Sequence, residues 1–179
     1  MRKSHHLLLL SLVALAMAVS LLASGVAAQR PTRPAVSATA AANDPFIGVW
    51  KLSADKSKYE SGGAPRSFTR TYEDRGGGTI FMTTDVTIPQ GSTRAYVVYR
   101  RDGKPYPEAA LGAEAIRMIA VTAVDPHTER MYLIVDGKQS AAPSTTTISA
   151  DGQTMTQVVS GTTSKGKAFT NTVVYDRQP

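Results

Sequence analysis

The 179-residue chain has no cysteine, which excludes disulfides, thiol nucleophiles and thiolate metal ligands, as well as any thiol for acylation behind an export signal. Histidine is nearly as scarce. Beyond the first few residues only His127 remains, following Asp125-Pro126 in what reads as a turn, and no HExxH or G-x-S-x-G motif accompanies it. Zinc and triad chemistry are therefore not expected. Gly76-Gly77-Gly78 lacks a following helix whose N-terminus could hold a phosphate, so it reads as a turn. A pair of carboxylates from Glu73, Asp74 and Asp85 is the one acid–base arrangement the strands would allow, with solvated strand-edge acids as the plainer reading. The expectation is a protein that is not an enzyme and carries no cofactor and no metal.

Charge and aromatic content exclude further classes. Without Arg2 and Lys3 the chain keeps 18 of its 20 basic residues against 14 acids, a net charge of +4. The basic residues are scattered, and their one cluster, Arg100-Arg101 with Lys104, reads as a solvated hairpin tip, so no nucleic-acid partner is expected. Aromatics total 7%, and the chain ends Tyr175-Asp176-Arg177-Gln178-Pro179 rather than on an aromatic residue, which is poor material for an outer-membrane barrel.

What is present begins with an export signal. Residues 1–28 hold Arg2 and Lys3, an uncharged run from Leu7 to Leu22, and small residues ending Val26-Ala27-Ala28. The apolar run is shorter than the roughly 18 to 20 residues that span a bilayer, so cleavage is expected and no stable membrane span in the mature chain. The expected location is the periplasm or beyond the cell. Residues 29–43, QRPTRPAVSATAAAN, have almost nothing to bury and read as a disordered linker. The folded domain is placed at residues 44–179, long enough for one core without disulfides.

From there the chain reads as strands and turns. Gly48 to Leu52 opens the domain with the only tryptophan, Trp50. Phe68 to Asp74, Thr79 to Ile88, Arg94 to Arg101, Ile116 to Val124, Glu129 to Val135, Lys138 to Ser149, Thr154 to Gly161 and Ala168 to Asp176 carry strand residues or period-two alternation. Asp102-Gly103, Asp136-Gly137, Asp151-Gly152 and Lys165-Gly166 mark hairpin turns. Pro107 to Ala115, with helix formers and no branched residues, is expected to make a helical turn across one end of the sheet. So many strands leave edges that need protection, and closure provides it. The predicted fold is all-β, an up-and-down antiparallel barrel of about eight or nine strands.

Gly48-x-Trp50 on the first strand resembles the lipocalin and wider calycin pattern. The order G-x-W-K-L, D-K-S-K-Y, D-G-K-x-Y-P, S-A-D-G-Q-T-M-T and V-V-Y-D-R is similar to small exported bacterial lipocalin-like domains, over about Pro45 to Arg177. The resemblance implies that Trp50 plugs the closed end of the barrel. It also implies that a basic residue near the last strand lies over that tryptophan, and Arg177 holds that position. Gly48, Trp50 and Arg177 thus form the structural motif.

A small barrel is either filled by side chains or open to one ligand. Met82, Tyr96, Val98, Met118, Tyr132 and Ile134 are the candidate liners, and their chemistry suits a small hydrophobic ligand as partner. A filled barrel serving as an envelope or interaction protein is the alternative, and cavity volume discriminates between them. Oligomeric state is not encoded in any feature of the sequence.

Overall fold

The computed structural model describes residues 44–179. The signal expected over 1–28 and the linker over 29–43 lie outside the described residues. Eleven strands follow in order: β1 (Gly48–Leu52), β2 (Ser67–Asp74), β3 (Ile80–Ile88), β4 (Gly91–Tyr99), β5 (Asp102–Ala110), β6 (Arg117–Asp125), β7 (Thr128–Val135), β8 (Lys138–Gln139), β9 (Ser144–Ile148), β10 (Thr154–Thr162) and β11 (Ala168–Arg177). A 3-10 turn at Ala54–Lys56 is the one helical element among the described residues.

All pairings are antiparallel. Each of β1 to β7 pairs with its successor, β7 pairs with β9, and β11 returns to β1. Ten strands therefore close a ring, and β8 lies outside it, paired only with the end of β7. Closure removes the free strand edges that would otherwise invite aggregation.

The extra strand relative to expectation comes from Pro107 to Ala115, which is not a helical turn. Its first residues complete β5, and the chain reverses at Leu111-Gly112, where Gly112 takes φ +76°. The physical reason lies in the direction of the amides. Leu111 N donates to Arg94 O, so odd-numbered residues of this segment aim their amides at β4. Pro107 has no N–H to offer there, and the β4–β5 ladder stops at Val97–Glu108. Prolines thus shorten one ladder without breaking the strand, which continues against β6.

Two other segments differ from expectation. Lys138 to Ser149 is not one strand: β8 ends at Gln139, and β9 starts only after Pro143. Asp102-Gly103 lies at the centre of the β4–β5 reversal, as the pairs Ala95–Ala110 to Val97–Glu108 require, but not in a tight two-residue hairpin. β4 ends at Tyr99, Asp102 already pairs with Thr122 of β6, and Gly103 (φ +77°) sits in an irregularity of the β5–β6 ladder between Asp102 and Pro105. Asp136-Gly137 does form the expected two-residue hairpin, with φ of 48° and 76°, both in the left-handed region that short hairpins require.

The core gathers at one end of the barrel. Phe46, Trp50, Ile80, Tyr99, Val121, Ile148 and Met155 are almost fully buried there. Residues 44–47 turn across that end, held by Phe46 N donating to Asp44 Oδ1 at 3.0 Å. The opposite end carries the β3–β4, β5–β6, β7–β9 and β10–β11 connections.

Candidate functional site

The closed end is built around Trp50, which is 0% exposed and donates from Nε1 to Phe46 O at 2.8 Å. β1 and β11 pair Trp50 with Arg177, so the two side chains share the inner face. The Arg177 guanidinium lies 4.2 Å from the centre of the indole. It also donates to Ile47 O at 2.7 Å, to Gly152 O at 2.6 Å and to Pro45 O. Gly48 makes this possible: a Cβ there would sit 2.6 Å from an Arg177 terminal nitrogen, and its φ is +135°. One arginine therefore satisfies three loop carbonyls and caps the only tryptophan.

Beside this plug sits a charged network. Arg101 donates to Glu129 Oε2 at 2.9 Å and to Asp44 Oδ2 at 2.6 Å, and stacks 4.4 Å from the Phe46 ring centre. The expectation of a solvated basic tip is corrected for Arg101, whose side chain is 18% exposed. Lys104 remains in solvent, and Arg100 bonds Gly77 O at 2.5 Å. Glu129 is buried, and burial raises its pKa above the carboxylate range despite the opposing pull of Arg101. Burial likewise pushes Tyr72 up to about 12 and raises Tyr99 and Tyr175.

Above the network the barrel opens into a cavity of about 740 Å³. Its floor includes Phe68, Arg70 and Met82; its wall includes Val86, Ala95, Ile119, Met131 and Leu133; its rim includes Ile88, Gln90, Leu111 and Ser160. It lies at the end opposite the Asp44–Ile47 turn. A second space of about 290 Å³ adjoins it under the Gly62-Gly63 loop and shares Phe68, Val86 and Ile88. Charge at the wall is paired: Arg117 Nε donates to Glu108 Oε2 at 2.6 Å across β5 and β6.

Of the residues expected to line the lumen, Met82 does so. Tyr96, Val98, Met118, Tyr132 and Ile134 do not line it. Register explains why. Met82 pairs with Val97, so Val97 shares its inward face, while Tyr96 and Val98 take the other face and Val98 is 52% exposed. Met118 pairs with Ile134 and Ala120 with Tyr132, a mutually consistent set on the outer parity, opposite Ile119 and Met131. Among the expected acids, Asp85 pairs with Arg94 and Glu73 with Arg75, while Asp74 accepts from Gly76 N, so they form no joint site. His127 stays in its turn, its amide bonded to Asp125. No group of three or more His, Asp or Glu capable of holding a metal occurs among the described residues.

Arg70, Glu108, Arg117 and Glu129 were missed as interior residues. The signal for Arg70 was visible, because it shares the parity of Phe68 and Tyr72 on a strand whose apolar residues face one side.

These features define an all-β closed antiparallel barrel with one packed end and one open lumen. A scan against family models gave no match, and a search of curated proteins gave no relative. Among solved structures, a redesigned beta barrel is similar, with a TM-score of 0.45 and 16% identity over 77% of this chain and 96% of that one.

Proposed function

We propose that the protein is an exported, lipocalin-like carrier that binds one small hydrophobic molecule inside the barrel. The cavity is the observation that carries this reading. Its volume of about 740 Å³ falls within the roughly 300 to 1,000 Å³ typical of small-molecule sites. Its lining mixes apolar residues such as Val86, Ile119, Met131 and Leu133 with polar ones such as Arg70, Thr84, Ser144 and Gln157, apolar surface to retain a ligand and polar groups to fix its orientation. A filled barrel would leave no such space. Gly48, Trp50 and Arg177 support placement beside lipocalin-like barrels, although the ring here has ten strands rather than eight or nine.

A binding role is preferred to catalysis because the wall's carboxylate, Glu108, is engaged by Arg117, and Glu129 lies beneath the floor in its bond to Arg101. A lipid-embedded barrel is disfavoured by the outward parity, where Thr69, Asp85 and Arg94 share one cross-strand row. Among the described residues no helix is long and apolar enough to cross a membrane.

Native mass spectrometry of the protein purified from its exported fraction tests the reading. A co-purifying small molecule that leaves on organic extraction and rebinds is the expected result. A protein that binds no hydrophobic compound after extraction overturns it. N-terminal sequencing of the same sample checks the export step, with a start near Gln29 expected.

A further inference from the structure

Arg70 is the feature the packing does not account for. It sits on β2 in the lumen, is only 8% exposed, and lines the cavity floor. Its Nε has no hydrogen-bond partner among the described residues, and no ion pair there includes it. A guanidinium cannot shed its charge, so burying it without partners is costly. The faces of Phe68 and Tyr175 meet it, with ring centres at 5.2 and 5.8 Å, and the Tyr72 hydroxyl lies beside it.

The surrounding charges narrow what could bond the Arg70 Nε. Arg101, not Arg70, holds the two nearby carboxylates, Glu129 and Asp44. Glu129 acts on Arg70 through space without bonding it. On the wall, Glu108 is taken by Arg117. The hydroxyls of Tyr72, Tyr99 and Tyr175 are also buried and unpartnered, and all three lie close enough to Arg70 to feel its charge. A cation with an unused donor beside free phenols is a site for an acceptor-rich head.

We infer that the ligand is amphipathic, with a carboxylate-type anionic head held by Arg70 at the cavity floor and an apolar tail running past Val86, Ile119 and Leu133 toward the rim. This rests on the reading of the cavity as a hydrophobic ligand site. The head enters first, because Arg70 lies at the floor and exposed Leu111 and Ile88 stand at the mouth. Tyr72 and Tyr175 are fully buried outside the cavity lining and flank Arg70 there, so the guanidinium itself is the group that meets the head.

Calorimetric titration of the delipidated mature protein with decanoate and with decanol separates the parts of this claim. At neutral pH the wild type is expected to bind decanoate roughly ten- to a hundred-fold tighter than decanol, the range of a charge-assisted hydrogen bond made in a dry site. Arg70→Met should erase that preference while decanol still binds, and Arg70→Lys should keep part of it. Equal affinity of the wild type for both compounds overturns the anionic head, and would mean that ordered water fills the floor, while cavity binding stands. Binding of neither compound overturns the hydrophobic-ligand reading itself. The wild-type comparison decides the matter even if Arg70→Met does not fold.

Discussion

The two ends of the barrel use the same kind of residue in opposite ways. At the closed end Arg177 and Arg101 are saturated: one caps Trp50 and bonds three carbonyls, the other bonds two carboxylates. At the cavity floor Arg70 meets two aromatic rings, no carboxylate among the described residues bonds it, and its Nε is left without a partner. The difference teaches that buried charge marks stability where its bonds are complete and marks a site where they are not. It also separates the consequences of mutation: changes at the closed end should move stability, and changes around the cavity should move binding.

The largest effect should come from Trp50→Ala. Removing a fully buried indole costs about 3 to 5 kcal/mol, read as the shift in denaturant midpoint. A loss below about 1 kcal/mol, the level of ordinary surface changes, would mean that the closed end is not the stability core.

Arg101→Met comes next. It leaves Glu129 buried without its partner, and breaking such a pair costs about 3 to 5 kcal/mol, with the lower figure expected because Arg101 is not fully buried. The pH dependence sharpens this. The folded-state pKa of Glu129 is already raised by burial and rises further once Arg101 is gone. An acid whose pKa is higher folded than unfolded favours the native state while protonated and destabilises it as pH climbs through that interval. The variant's deficit should therefore shrink as pH is lowered from neutral toward the unfolded carboxylate value near 4.3. A deficit independent of pH would remove Glu129 from the explanation.

Gly48→Ala should cost about 1 to 3 kcal/mol, since φ is +135° and the new Cβ meets Arg177. Its signature is a changed Trp50 fluorescence spectrum as the guanidinium is pushed off the indole. An unchanged spectrum would break the link between the glycine and the stack.

The smallest stability effect belongs to the cavity wall. Ala95→Phe projects a ring into empty space beside Thr84 and Ala110, so stability should change by less than about 1 kcal/mol. Binding of a hydrophobic ligand should nonetheless fall sharply in the same titration. A variant that destabilised the fold strongly without touching binding would invert the contrast between the two ends.

Much of this was legible in the chain because it depends on local rules. Period-two alternation and Asp-Gly turns place β3, β7 and β10 within a residue or two, and Asp136-Gly137 forms its hairpin because left-handed φ is a local demand. β5 was not legible, since two prolines and a run of helix formers outweigh strand propensity until a neighbouring strand supplies the ladder. Lumen identity was lost on three strands for a similar reason: Tyr96, Met118 and Tyr132 are as apolar as their inward neighbours, so alternation there has no contrast to read.

The sequence by itself determined that the described part of the chain is built of strands, where most of them turn, and that Trp50 would be central to packing. Backbone propensity and side-chain size act within a few residues, so a linear reading captures them. The tertiary structure alone decided the ten-strand closure, which parity faces inward, and the lack of an ion pair to Arg70 among the described residues. Those follow from register between strands far apart in the chain, where a shift of one residue would turn Arg70 from the lumen to the solvent.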